Sequence, residues 1–167
     1  MKPYIDKWKI YTAINRLGVQ ITQDYKQKSP ITIIGIMDGS LLFMADLIRQ
    51  INLDFKIATI KISSYVGRYQ QNPIIKYCDL SDIKDNHVIV IDDIYDTGQT
   101  LKLIQDEVLS YKPLSLEFCV LLNKNIDKKE KINVKYRGLN IENEFVVGFG
   151  MDCNGLYRHL SYIGILE

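Results

Sequence analysis

Apolar side chains recur at Ile10, Ile14, Leu17, Ile21 and Tyr25, a spacing that keeps them on one face of a helix. Lys28, Ser29 and Pro30 close the pattern, because a proline ring fits poorly inside a helix. Ile31 to Met37 is a nearly continuous β-branched run bounded by Asp38-Gly39-Ser40, as expected of a strand buried on both faces. Ser40 is placed to cap a following helix that carries Leu42, Phe43, Ala45, Leu47, Ile48 and Ile51. A further strand is predicted over Phe55 to Ile62. The polar stretch Ser64 to Pro73, with Gly67, Arg68, Gln70, Gln71 and Asn72, reads as a mobile surface loop.

The second half repeats the rhythm. Val88 to Ile91 is a short apolar run that stops in Asp92-Asp93, and after Asp96-Thr97-Gly98 a helical pattern begins with Leu101, Ile104 and Val108. Pro113 ends it. Leu116 to Leu122 makes another strand, and Phe145 to Phe149 a late one ending in Gly150. Strands alternating with helices in this way predict an α/β domain with a mostly parallel sheet.

Composition narrows the picture. A chain of 167 residues fits a single domain over residues 1–167. With 21 Lys+Arg against 20 Asp+Glu the net charge is +1, which argues against a polycationic nucleic-acid or membrane binder. Met1 to Lys9 lacks the apolar core of a signal peptide, and no run is long enough for a membrane span. Cys78, Cys119 and Cys153 are odd in number and far apart, suggesting neither a disulfide framework nor a metal pair. A reducing, cytoplasmic location is the expectation.

The chemistry concentrates in Val88-Ile89-Val90-Ile91-Asp92-Asp93-Ile94-Tyr95-Asp96-Thr97-Gly98-Gln99-Thr100. A buried strand delivers carboxylates to its carboxyl end, where open α/β sheets bind ligands. The following helix start offers backbone N–H groups and a positive dipole end suited to a phosphate. Carboxylates beside a phosphate nest make sense if they hold sugar hydroxyls, a cation or a proton. Read in isolation, Asp92 and Asp93 are equally turn formers and Thr97 a helix cap.

The whole segment resembles the phosphoribosyl-pyrophosphate motif of type I phosphoribosyltransferases. Three more stretches resemble the hypoxanthine/guanine members: Gly35 to Leu47 (GIMDGSLLFMADL), the pair Ser64-Tyr65, and Phe145 to Leu160 (FVVGFGMDCNGLYRHL). They lie in the family's order and span roughly residues 31 to 166. The resemblance implies a single α/β domain with a mostly parallel central sheet flanked by helices and a small hood from terminal segments. It implies transfer of 5-phosphoribosyl from phosphoribosyl pyrophosphate to N9 of hypoxanthine or guanine, giving IMP or GMP plus pyrophosphate with Mg²⁺.

By the same resemblance Asp96 is the acid/base at the purine N7 proton. Backbone N–H groups from Asp96 through Gly98 and Gln99 to Thr100, with the Thr97 and Thr100 hydroxyls, cradle the 5′-phosphate. Asp92 and Asp93 face the ribose hydroxyls directly or through a metal-bound water. Lys124 donates to the purine 6-oxo group and, having no acceptor, disfavours a 6-amino purine. Phe145 stacks on the base and Val146 meets its edge. Asp152 is a Mg²⁺ ligand, Asp38 and Gly39 form the pyrophosphate loop, and Arg158 binds pyrophosphate. Ser64 and Tyr65 open a flexible loop, Ser64 to Ile75, that would act as a lid against water. Without the family pattern, Lys124 and Arg158 read as surface charges, and Phe145 and Val146 as core.

One position departs from the family. Relatives commonly carry Lys or Arg where this chain has Asp38, and an acid there repels pyrophosphate; activity is expected to persist with altered pyrophosphate affinity. A xanthine-preferring transferase and a nucleic-acid-binding regulator on the same fold are the competing readings. Homo-oligomers, dimers or tetramers, are usual in the family.

Overall fold

The computed structural model describes residues 1–66 and 69–166, with side chains left aside at 64–66 and 69–71. The chain opens with a short strand β1 (Lys2–Ile5) and helix α1 (Lys7–Tyr25). Asp6 starts α1, its carboxylate accepting from the N–H groups of Trp8 at 2.9 Å and Lys9 at 3.0 Å. The apolar stripe of Ile10, Ile14, Leu17, Ile21 and Tyr25 is buried, as its spacing required.

Then follow β2 (Ile31–Met37), α2 (Leu41–Ile48), β3 (Lys56–Val66), β4 (Tyr69–Cys78), β5 (His87–Tyr95), α3 (Gln99–Ser110) and β6 (Ser115–Lys124). The chain closes with β7 (Tyr136–Ile141), β8 (Val146–Val147) and β9 (Ile163–Ile165). The main sheet has six strands in the order β4-β3-β2-β5-β6-β7, parallel except for the β3–β4 pair. Its strands alternate two apolar faces. Ile33, Ile89, Ile91, Cys119 and Leu121 pack under α1 and α2, while Ile34, Ile60, Val88, Val90 and Phe118 pack under α3. Fully burying such side chains stabilises the fold by roughly 1.5–3 kcal/mol each before chain entropy is charged.

A second, three-stranded sheet, β1-β9-β8, joins the two ends of the chain and forms the hood. Successive parallel strands are added to one side of β2 and to the opposite side of β5. The β2–β5 junction is therefore the point where strand order reverses, and a crevice opens at its carboxyl end.

Three local expectations are revised. Ser64 to Pro73 is not a loop along its described backbone: Tyr65 pairs with Gln70, Val66 with Tyr69 and Ser63 with Ile74. The Ser64 and Tyr65 side chains, and Gly67 and Arg68, on which the lid expectation rests, lie outside the described residues. Ser40 precedes α2 but does not cap it, because its hydroxyl donates to the Ile36 carbonyl at 2.6 Å. Finally, β5 does not stop at Asp92-Asp93. It runs to Tyr95, held by parallel pairing with β6 through Asn123.

Candidate active site

The crevice at the β2–β5 junction is a cavity of about 640 Å³. The loop after β2 brings Asp38 and Gly39, β5 brings Asp92 and Asp93, and the turn after it brings Asp96, Thr97, Gly98 and Thr100. Lys124 arrives from the end of β6, and the hood supplies Phe145, Val146, Asp152 and Arg158. Nearly every residue singled out from the sequence thus faces one space. Gln99 does not; its amide oxygen accepts from the Thr97 hydroxyl at 3.4 Å.

Asp92 is buried and accepts from the Asp93 N–H at 3.0 Å. Burial and the neighbouring Asp93 carboxylate push its carboxyl well above the ordinary range, and burial raises Asp93 to about 6. Arg158 pulls the other way on Asp93, but desolvation wins.

Gly39 and Gly98 answer to close approaches. A side chain at Gly39 would collide with the Asp93 carboxylate, so the loop passes the acid pair only as bare backbone. Gly98 has φ 91°, a left-handed conformation that glycine adopts without strain, and a side chain there would strike the Glu130 carbonyl. It is the N-cap residue of α3 and brings no side chain over the first N–H groups of that helix. That leaves a helix N-terminus suited to an anion.

Asp96 and Lys124 form an ion pair with Oδ2 and Nζ 3.0 Å apart, both side chains largely buried. Lys128, which no sequence motif singles out, donates to the Lys124 carbonyl at 2.6 Å and the Tyr95 carbonyl at 2.9 Å. Its ammonium also lies 4.4 Å from the Tyr95 ring centre. Tyr95 in turn donates to the Glu130 carbonyl at 3.0 Å and accepts from the Ile132 N–H at 2.9 Å. One lysine and one tyrosine thereby tie the strand ends that carry Asp96 and Lys124.

On the hood side, β8 is shorter than the Phe145–Phe149 strand expected, because Gly148, Phe149 and Gly150 all take positive φ and turn the chain. Val146 is buried against Ile165, while Phe145 is half-buried at the cavity wall. Arg158 is held at 2.8 Å by Asp152 and donates to the Gly150 carbonyl at 2.6 Å. Asp38, finally, accepts from Lys61 of β3 through both oxygens, at 2.9 and 3.1 Å. Lys61 carries no signal in a linear reading; only the pairing of β2 with β3 brings it here.

The chain was compared with known proteins. A family model of the phosphoribosyl transferase domain matches residues 4–154. A hypoxanthine-guanine phosphoribosyltransferase of Staphylococcus aureus is 43% identical over 162 residues, covering 95% of this chain and 89% of its own length. Its counterpart in Streptococcus pneumoniae is 39% identical over 161 residues, with the same coverage of 95% and 89%. Among solved structures, a hypoxanthine phosphoribosyltransferase from Staphylococcus aureus superposes with a TM-score of 0.91 at 39% identity, over 99% of this chain and 91% of that one. A hypoxanthine-guanine phosphoribosyltransferase from Bacillus anthracis gives 0.90 at 34% identity, over 100% and 98%.

Proposed function

The chain belongs to the phosphoribosyltransferase family, and on that premise we propose that it is a purine-salvage enzyme moving 5-phosphoribosyl from phosphoribosyl pyrophosphate to N9 of hypoxanthine or guanine. The products are IMP or GMP and pyrophosphate. The observation that carries this reading is that the Asp96–Lys124 pair and the glycine-led start of α3 line one cavity. A base and a 5′-phosphate attached to the same ribose have to meet such groups together.

In this reading the amides of the Asp96–Thr100 turn and the Thr97 and Thr100 hydroxyls hold the 5′-phosphate. Asp92 and Asp93 meet the ribose hydroxyls. Lys124 has three donors; one serves Asp96, and another is free to meet a 6-oxo oxygen. A 6-amino group offers no acceptor at that point, so adenine is disfavoured. Asp96 takes the N7 proton as the glycosidic bond forms, and the Lys124 ammonium 3.0 Å away holds its carboxylate in place. Phe145 supplies a stacking face at the cavity wall.

The cavity wall carries Asp38, Asp92, Asp93, Asp96 and Asp152 against Lys61, Lys76, Lys124 and Arg158, so a polyanionic donor needs further positive charge. Among the described residues no group of three or more ligating side chains is arranged to hold a metal by itself. Magnesium suits such a site, because it takes one or two carboxylates and completes its shell with phosphate oxygens and water. Asp152 and the Asp92–Asp93 pair are the carboxylates that would hold it. When bound it would neutralise charge developing on the leaving pyrophosphate.

Self-association is part of the same reading. Cross-strand pairing puts Ile74 and Tyr77 of β4 on one face with Ser63 and Lys61 of β3, and Ile57, Ile74 and Tyr77 are exposed there. No helix among the described residues is long and apolar enough to cross a membrane.

The test is a purine-by-purine comparison of hypoxanthine, guanine and xanthine turnover with phosphoribosyl pyrophosphate and magnesium. Formation of IMP or GMP is expected. Exclusive use of xanthine, or no nucleotide product with any of the three, overturns the assignment.

A further inference from the structure

We propose that Lys61 is a diphosphate-binding residue of this cavity and that Asp38 is its positioning residue; the inference rests on the phosphoribosyl-transfer reading of the same site. Parallel pairing sets Lys61 of β3 beside Met37, the last residue of β2, so its side chain emerges where the Asp38-Gly39 loop begins. Its ammonium lies 2.9 and 3.1 Å from the two Asp38 oxygens, and both residues line the cavity.

The exposure of the pair argues against a purely structural role. Lys61 is 53% and Asp38 47% exposed, and ion pairs so open to water contribute little to stability. A lone carboxylate at this point would repel a diphosphate. Bridged through both oxygens by one ammonium, it instead fixes a long, flexible side chain over the cavity. The ammonium has three donors and Asp38 engages two directions of approach, leaving donor capacity for a phosphate oxygen.

Two other cations line this part of the cavity: Lys76 of β4, and Arg158, whose guanidinium already serves Asp152 and the Gly150 carbonyl. Lys61 is less committed than Arg158, and Asp38 holds it at the start of the loop. A cation for the leaving group thus comes from the neighbouring strand, and the loop residue contributes the anchor.

The experiment is calorimetric binding of inorganic pyrophosphate and of IMP to the full chain and to Lys61→Gln, Lys61→Arg and the double variant Lys61→Gln/Asp38→Asn. Lys61→Gln is expected to weaken pyrophosphate about tenfold, the size of one lost charge-assisted hydrogen bond, and to keep IMP affinity. Lys61→Arg should retain most of the pyrophosphate affinity. The double variant removes the repulsion of the bared Asp38, so it should recover part of the affinity lost in Lys61→Gln and remain weaker than the unsubstituted chain. Unchanged pyrophosphate binding in Lys61→Gln, equal loss of IMP, or full recovery in the double variant each overturns the proposal. Failure of the unsubstituted chain to bind IMP overturns instead the reading on which it rests.

Discussion

The Asp96 carboxylate holds the Lys124 ammonium at 3.0 Å across the ends of two adjacent parallel strands. Each group positions the other: the lysine fixes the carboxylate, and the acid keeps the lysine aimed at the cavity. Asp96→Asn should therefore lower turnover by roughly 10²–10⁴-fold, the usual size of a general-base contribution. Steady-state kinetics with hypoxanthine check this, and near-wild-type turnover would remove Asp96 from the proton-transfer role.

Lys128 ties the same two strand ends through the Tyr95 and Lys124 carbonyls. Lys128→Met leaves both carbonyls without this donor and lets the ends move apart. The expected effect is a loss of about 1–3 kcal/mol in unfolding free energy, as for hydrogen bonds to a charged group. Chemical denaturation measures it directly, and an unchanged midpoint counts against the tie.

Phe145→Ala removes a half-buried aromatic face from the cavity wall. Base stacking on an aromatic side chain contributes roughly 1–3 kcal/mol, so KM for the purine should rise about tenfold or more. KM for phosphoribosyl pyrophosphate should change far less. Equal rises in both constants would point to general disruption of the hood.

Gly39→Ala places a methyl group against the Asp93 carboxylate. The loop and the acid pair then cannot occupy their present positions together, and pyrophosphate and ribose contacts fail as a unit. Binding of both pyrophosphate and IMP should weaken, read by calorimetry on a variant whose far-UV spectrum is unchanged. Full retention of both would show that the loop relaxes freely.

Away from the site, Asp24 accepts from Tyr136 Oη at 2.8 Å and pairs with Lys135 at 2.9 Å. Those partners, the Lys135 hydrogen bond foremost, hold its carboxyl below the ordinary 3.8. A carboxyl lowered on folding adds stability above its unfolded value, and that contribution is lost as pH falls through the folded value. The Tm difference between the wild type and Asp24→Asn should accordingly be largest near neutral pH and shrink on acidification below 3.8. A difference independent of pH would assign the effect to packing.

Burial decides what was legible in the sequence. Ile31 to Met37 and Val88 to Ile91 are covered on both faces, so water selects apolar residues at every position and the strands declare themselves. Tyr136–Ile141 is an edge strand with exposed Arg137 and Asn140, and its apolar signal breaks up. Pairing of β4 with β3 likewise hides behind polar residues such as Gln70 and Asn72, which suggest a loop. Asp92 and Asp93 look like a turn because acids rarely lie inside buried strands; here the strand carries them into the cavity.

The site divides in the same way. Asp92, Asp93, Asp96, Thr97 and Gly98 are contiguous and readable as one motif, whereas Lys61 and Lys128 act through neighbours distant in sequence. Lys61 meets Asp38 only through strand register, and Lys128 meets Tyr95 only because the chain after β6 folds back over β5. No local spacing encodes either contact.

Among the described residues, three opposite-charge couples line the crevice: Asp38 with Lys61, Asp96 with Lys124, and Asp152 with Arg158. Each cation is thus held at a fixed place by an internal carboxylate. Only a molecule that presents several charges at matching separations meets all three couples at once, so their spacing sorts molecules by charge pattern before any chemistry begins.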